Sequence, residues 1–520
     1  MRREEMLARL SEERKDWDFI VIGGGATGAG IALDAASRGY DVALVERGDF
    51  GSGTSSRSTK LVHGGVRYLE QGNVALVMDA LRERGVMREN APHLVSDLAF
   101  VVPNYEWWEA PFYGVGLRLY DLLAGRYGFG ESRVLSKEET LARLPNLKTE
   151  GLRGGVVYYD GQFDDSRLLI HILMTAAAQG AAVVNYCPVV GLLESADGFV
   201  NGVRVRDLES GNDHELKARV VINATGPFSD DVRRLGQPDA EPLIAPSQGV
   251  HLVFEASFLQ AETAILVPHT RDGRVMFAIP WHGHALVGTT DTPVTHFDEE
   301  PRPLAGEIDF ILETAADYLA RPPRREDILS AWAGIRPLVG AGSGSTAQLS
   351  RDHTIHVDRN GLLSIAGGKW TTYRKMAEDA VTQAALLAAL DERDCVTRRL
   401  HIHGFHTHAR KFGALSVYGS DATAIEDLIR AQPSLGAQLH PDLPYVEAQV
   451  VWAVRREMAR TLGDVLSRRM RALTLNARAA LEMAPRVAAI MRDELGLDDA
   501  WMQSELRRFN ALAQGYLPRT

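Results

Sequence analysis

Residues 18–46 read DFIVIGGGATGAGIALDAASRGYDVALVE, and this stretch decides the fold. Residues 18–22 are apolar and β-rich, residues 29–37 are small and helix-forming, and residues 41–45 make a second β-rich run. Strand, helix and strand in that order predict a βαβ unit. Between the first strand and the helix, Gly23, Gly25 and Gly28 occupy the positions of G-x-G-x-x-G. The first glycine allows a tight turn, the second lets backbone approach a pyrophosphate, and the third allows close helix packing. Glu46 closes the second strand and can accept hydrogen bonds from a ribose hydroxyl. The unit therefore predicts a bound dinucleotide, without separating FAD from NAD.

Working outward, a polar run of Thr54, Ser55, Ser56, Ser58, Thr59, Lys60 and Leu61 is followed by HGGVRYL from His63. Such a run could wrap an isoalloxazine and its ribityl chain, which favours a flavin. Residues 218–224 and 362–366 each read as a buried strand ending in a glycine-containing turn, and both are expected to join the first sheet. Between them, residues 251–254, 274–279 and 285–288 alternate as strands of an antiparallel sheet. The expected organisation is α/β: a charged leader at 1–17, a Rossmann-type FAD-binding domain from 18–237 and 334–393, an inserted antiparallel substrate domain at 238–333, and a helical C-terminal domain at 394–520. The leader reads as a surface helix or a disordered arm. In the C-terminal part, Arg455, Arg456, Arg460, Arg468, Arg469 and Arg471 alternate with apolar residues, which predicts a solvated helix face. Anionic lipid headgroups or a second subunit of a homodimer would also suit that face.

The 520 residues are 45% hydrophobic, enough for two or three cores, and the net charge of -11 argues against nucleic acid as a partner. Cys187 and Cys395 stand far apart in no metal-binding or redox spacing, which suits a reducing, cytoplasmic compartment. No run is long and apolar enough to span a bilayer, leaving peripheral attachment to the inner face of the cell membrane as the expected kind of contact. His401, His403, His406 and His408 alternate in a short tract, but no carboxylate or cysteine set completes a metal site, so a solvated strand or loop is expected.

Six segments occur in an order that is specific: VIGGGATGAG from Val21, TSSRSTKLVHGGVRYL from Thr54, INATGP from Ile222, IPWHGHALVGTTD from Ile279, AGIRPL from Ala333 and GGKWTTYRK from Gly367. Together they resemble the FAD-dependent, quinone-linked glycerol-3-phosphate dehydrogenases, and RREMARTLGDVLSRR from Arg455 resembles the C-terminal domain of bacterial members. The resemblance implies that Gly23, Gly24, Gly25, Ala26, Thr27, Gly28, Glu46 and Arg47 hold the AMP half of FAD. It implies further that Ser55, Ser56, Lys60, Leu61, His63 and Gly65 line the flavin and that Val189 meets adenine through its backbone. Thr225 and Gly226 would form the strand-end turn beside the cofactor, with Gly368, Trp370 and Thr371 closing over the pyrimidine edge.

The implied reaction converts sn-glycerol 3-phosphate to dihydroxyacetone phosphate by hydride transfer to FAD, with electrons passed to a quinone. A phosphate monoester needs cations, and Arg67, Arg336, Arg351 and Lys369 are the candidates, with Tyr68 and Tyr373 as hydrogen-bonding groups. Removal of the hydroxyl proton needs a base, for which His251 in QGVHLVF leads. Arg336 and Lys369 are placed with it as groups that lower the alcohol's pKa. The competing readings are an oxygen-using glycerol-3-phosphate oxidase, an amine-oxidising flavoenzyme of the same fold, and a non-catalytic flavin sensor.

Overall fold

The computed structural model describes residues 1–11, 16–65, 73–268, 270–271, 273–340 and 352–518. The opening strand, Trp17–Ile22, lies in the middle of a parallel layer between Asp213–Asn223 and Val42–Val45. The layer extends to Ala182–Val184 on one side and to Leu363–Gly367 on the other, where His353–Val357 adds an antiparallel edge. Phe19, Ile20 and Val21 are fully buried, and each contributes about 1.5–3 kcal/mol by leaving water. A strand buried on both faces reads as the continuous apolar run seen in the sequence.

Helix Ala26–Ser37 packs between helices Asp165–Ala178 and Tyr373–Leu387. Its alanines and glycines permit this closeness: a Cβ at Gly30 would stand 2.9 Å from the Tyr373 ring. Val189–Glu194 and Val200–Arg206 form an antiparallel extension running onto Asp213–Asn223.

A second, largely antiparallel sheet stands beside this layer, and it is assembled differently from the expected insertion at 238–333. Its strands include Leu61–Val62, Val95–Asn104, Arg133–Ser136 and Gly154–Phe163 as well as Ile244–Glu255, Ala264–Val267, Met276–Trp281, His284–Gly288 and Ser330–Val339. Val95–Asn104 pairs with Gly154–Phe163 across its whole length, and Ile244–Val253 pairs with Ser330–Val339. The earlier strands escaped the sequence reading because their partners are tens of residues away. An apolar run such as 98–102 also does not declare which sheet it will join.

The leader is no loose arm, since helix Arg3–Ser11 buries Met6 and Leu10 while Arg3 bonds the Asn185 carbonyl at 3.0 Å and the Asp207 carboxylate. The C-terminal region is helical, with Glu447–Glu457, Ala477–Leu495 and Asp499–Ala513 around an apolar core. Its arginines depart from the solvated face predicted for them. Arg468, Arg469 and Arg471 are buried, and Arg469 grips Asp49 with two bonds of 2.6 and 2.8 Å. Arg455, paired with Glu494, Arg456, and Arg460, paired with Glu209, keep to the surface side. A guanidinium can be buried when a carboxylate and carbonyls satisfy it, and the acids that do so are Asp49, on the loop after the first βαβ unit, Asp165, at the start of its helix, and Asp464, in the same segment.

Candidate active site

One cavity of about 530 Å³ opens where the two sheets meet. Its first wall is the glycine turn. Gly23 has φ of 108° and an added Cβ would lie 2.7 Å from the Ala224 carbonyl oxygen, while a Cβ at Gly28 would overlap the carbonyl oxygen of Gly23 itself. Only glycine lets helix Ala26–Ser37 start this close to the strand ends, so that its N-terminal N–H groups and dipole face the cavity as an anion site. Gly24 N–H donates to Glu46 at 2.6 Å and Gly48 N–H donates to its other oxygen at 2.9 Å. Burial nevertheless pushes the Glu46 carboxyl above its ordinary pKa, against the pull of those two donors.

The loop through 54–61 forms the second wall and touches every other one. Ser55 Oγ accepts from Ala26 N–H at 2.9 Å, and the Ser55 carbonyl accepts from the indole N–H of Trp370 at 2.8 Å. Thr54 donates to the Ile335 carbonyl at 2.6 Å, and Thr59 Oγ1 stands 2.9 Å from Nε2 of His251. Arg47, Arg57, Pro188, Val189, Thr225 and Gly226 complete the rim, the Arg47 guanidinium lying 3.9 Å over the Phe228 ring.

At the far end, the paired strands Ile244–Glu255 and Ser330–Val339 present one face in register: Ser247 opposite Arg336, Gly249 opposite Gly334, His251 opposite Trp332. The two glycines leave bare backbone between a guanidinium and an imidazole. Arg336 folds over the space where a Gly249 side chain would stand, and it donates to the Thr290 carbonyl at 2.9 Å and to Thr289 Oγ1 at 3.1 Å. His251 stacks on Trp332 with ring centres 4.4 Å apart. Burial first, and then the positive charges of Lys60 and Arg336, hold the imidazole well below its ordinary pKa, so it is neutral near pH 7. Its Nδ1 has no hydrogen-bond partner among the described residues.

Most of the sequence-predicted residues meet on this cavity: Gly23, Gly25, Ala26, Thr27, Glu46, Arg47, Ser55, Leu61, His63, Val189, Thr225, Gly226, His251, Arg336, Gly368, Lys369, Trp370 and Thr371. Others do not line it. Lys60, expected at the flavin, is fully buried behind the loop with its ammonium 2.7 Å from both Asp165 and the Ser56 carbonyl. A cation with two such partners there has no reason to turn toward the cavity. Burial lowers its pKa to about 7, Arg471 adding to the effect. Ser56 is buried and Gly65 stands away from the cavity. Tyr373, a substrate candidate, has its ring packed on Gly30 and edge-on to Trp370. Arg67, Tyr68 and Arg351 lie outside the described residues. The histidine tract divides, with His403 bonded to Asp421 at 2.7 Å and His401 stacked on Phe405. Sequence reasoning missed Trp332 and the Gly249–Gly334 pair, whose signal exists only in strand register.

A family model described as FAD dependent oxidoreductase matches residues 18–374, and one described as the C-terminal domain of alpha-glycerophosphate oxidase matches 362–502. The human mitochondrial glycerol-3-phosphate dehydrogenase is 42% identical over all of this chain and 76% of its own length. A probable mitochondrial glycerol-3-phosphate dehydrogenase of Caenorhabditis elegans is 41% identical over 97% of this chain and 74% of its own. The chain belongs to the FAD-dependent oxidoreductases, in the glycerol-3-phosphate dehydrogenase family. Among solved structures, the Bacillus halodurans glycerol-3-phosphate dehydrogenase complexed with FAD superimposes with a TM-score of 0.80 at 30% identity, over 99% of this chain and 97% of that one. FAD is therefore the cofactor, and the cavity fits it. The glycine cradle that a Cβ would fill and the helix N-terminus suit a pyrophosphate. Glu46 suits a ribose, and the polar loop 54–61 with Trp370 suits the flavin end.

Proposed function

We propose that this enzyme oxidises sn-glycerol 3-phosphate to dihydroxyacetone phosphate and passes the electrons to a quinone at a membrane surface. The observation that carries the substrate is the composition of the cavity, where Arg336 and His251 face each other's strands across bare glycine backbone and Lys369 is also among the lining residues. Two cations suit a phosphate monoester, which carries nearly two negative charges near neutral pH. FAD supplies the hydride acceptor for carbon 2 of the substrate. Arg336 and Lys369 bind the phosphate and fix the orientation of the glycerol chain. His251, kept neutral by its surroundings, takes the hydroxyl proton on an imidazole nitrogen, and the bound phosphate offsets the cations that otherwise oppose its protonation. The stacked Trp332 and the Thr59 contact restrain the ring while it does so.

The deciding experiment is an anaerobic visible spectrum of the FAD-loaded protein before and after addition of sn-glycerol 3-phosphate, with glycine, sarcosine and glycerol as controls. Bleaching by glycerol 3-phosphate alone supports the assignment. No bleaching with bound FAD overturns it and favours an amine substrate or a sensor.

Membrane contact rests on a different surface from the arginine-rich segment. Helix Glu109–Ala124 exposes Phe112, Val115, Leu119 and Leu122 at spacings of three and four, preceded by Trp107 and Trp108; Trp107 is 73% and Leu122 77% exposed. Its opposite face buries Tyr113, Leu117 and Tyr120. No described helix is long and apolar enough to cross a membrane, but a stripe of this kind suits one lying in the bilayer interface, with tryptophans at headgroup depth. Vesicle flotation checks this: the protein should float with lipid, and serine at Trp107, Phe112 and Leu122 should leave it at the bottom. Flotation unchanged by those substitutions would remove this surface from the account.

A further inference from the structure

The loop 54–61 reaches the start of helix Ala26–Ser37, Trp370 and the paired strands that carry Ile335 and His251 through Ser55, Thr54 and Thr59, yet what fixes the loop lies behind it. Asp165, the first residue of helix Asp165–Ala178, is fully buried. Its Oδ2 accepts from Ser58 N–H at 3.1 Å, Ser58 Oγ at 2.7 Å and the Lys60 ammonium at 2.7 Å. Its Oδ1 accepts from Ser166 N–H at 2.8 Å and from the Arg471 guanidinium at 3.0 Å. Lys60 and Arg471 converge again on one acceptor, the Ser56 carbonyl, at 2.7 and 3.0 Å. Both have left-handed backbone, with φ of 62° and 66°, a conformation that non-glycine residues adopt seldom. The rings of Trp281 and Trp332 cover the Lys60 ammonium at 5.2 and 4.7 Å, so the cluster is closed from water on the side of His251.

We propose that Asp165 and Arg471 are positioning residues for the flavin: a buried charge cluster, completed by the C-terminal region, that holds loop 54–61 in its cofactor-binding shape. Arg471 stands in the stretch matched as the glycerophosphate oxidase C-terminal domain, so that region is part of the flavin site's support. The same short stretch sends Arg468 and Arg469 to Asp49, on the loop that carries Glu46 and Arg47 to the cavity. Both polar loops of the cavity are thus anchored on one C-terminal segment. Asp164, beside Asp165, lies 3.9 Å from Arg471 and 3.0 Å from His282, so the cluster sets two acids against Lys60 and Arg471. Removing one member leaves its partner charged and buried, whereas removing two in balance does not.

The test uses the full chain, stripped of FAD and titrated with it, and reads FAD affinity, the visible circular dichroism of bound flavin and the melting temperature of the apoprotein. Asp165→Asn and Arg471→Gln should each weaken FAD binding by tenfold or more and alter the flavin bands. The double variant should lose much less than the product of the two. Ser58→Ala keeps every charge, folds on milder terms and should weaken FAD binding several-fold. None of these readings depends on the identity of the substrate. A fall in melting temperature with FAD affinity and flavin bands unchanged would overturn the proposal, as would strictly multiplicative losses in the double variant. If Asp165→Asn and Arg471→Gln do not fold, unchanged FAD affinity in Ser58→Ala overturns it by itself.

Discussion

Gly249→Ala separates the cost of a side chain in stability from its cost in activity. An ideal Cβ at this position would lie 2.7 Å from Cζ and 2.8 Å from Nη1 of Arg336, nearer still to Nη2. The obstructing atoms are the end of a flexible side chain, so the protein can yield by swinging the guanidinium away, at a cost of about 1–3 kcal/mol for the hydrogen bonds and the 3.3 Å Asp291 ion pair that Arg336 gives up. The displaced guanidinium would leave the Thr290 carbonyl and Thr289 Oγ1, which now aim it. If Arg336 binds the substrate phosphate, the enzyme then loses one or two charge-assisted hydrogen bonds, about 1.5–3 kcal/mol each. A loss of about 3 kcal/mol corresponds to roughly a hundredfold fall in kcat/KM for glycerol 3-phosphate. The assay is steady-state oxidation with an artificial electron acceptor, with bound FAD counted by absorbance and melting temperature recorded alongside. Arg336→Met should produce a similar fall, and the double variant should be no worse than either single one. Activity within threefold of the parent, at full FAD occupancy, would refute the placement of phosphate at Arg336.

Gly28→Ala should abolish FAD binding, because its Cβ would meet a backbone carbonyl that cannot move aside; retained yellow colour after purification would count against the cradle. His251→Asn should slow anaerobic flavin reduction by roughly 10²–10⁴-fold with FAD still bound, as loss of a general base does, and stopped-flow bleaching measures it. His93, buried against His171 at 2.9 Å, has its pKa lowered to about 3, chiefly by burial. Its unfolded form takes up a proton below about pH 6.5 while the folded form stays neutral, so stability is full above pH 6.5 and is lost as pH falls toward 3. The loss attributable to His93 should be about 2 kcal/mol at pH 5, and denaturant unfolding of His93→Asn should show a correspondingly smaller difference between pH 7.5 and pH 5.

What the sequence disclosed was what short-range geometry controls. The turn at Gly23–Gly28 is legible because its constraints act within a few residues: Gly28 must clear the carbonyl of Gly23, five positions away. Glu46 is legible because the strand carrying it pairs directly with the strand before the turn. The second sheet was only half visible, since Val95–Asn104 finds Gly154–Phe163, and Ile244–Val253 finds Ser330–Val339, across loops whose pattern says nothing about pairing. The most consequential error concerned charge. Arg468, Arg469 and Arg471 alternate with apolar residues as a wet helix face would, and the acids that bury them, Asp49 and Asp165, lie 306–420 residues away. Lys60 misled in the same way: its place in a flavin-lining motif suggested contact with the cofactor, whereas its ammonium is directed at Asp165 behind the loop. Amphipathic spacing measures which side of a helix is polar, not whether that side is wet. A polar face turned inward needs partners of opposite charge, and here those partners are Asp49, on the loop that carries Glu46 and Arg47, and Asp165, whose helix start also holds the loop 54–61. Arginines that looked like a surface for lipid therefore brace the flavin site, while the apolar stripe on Glu109–Ala124 stays exposed.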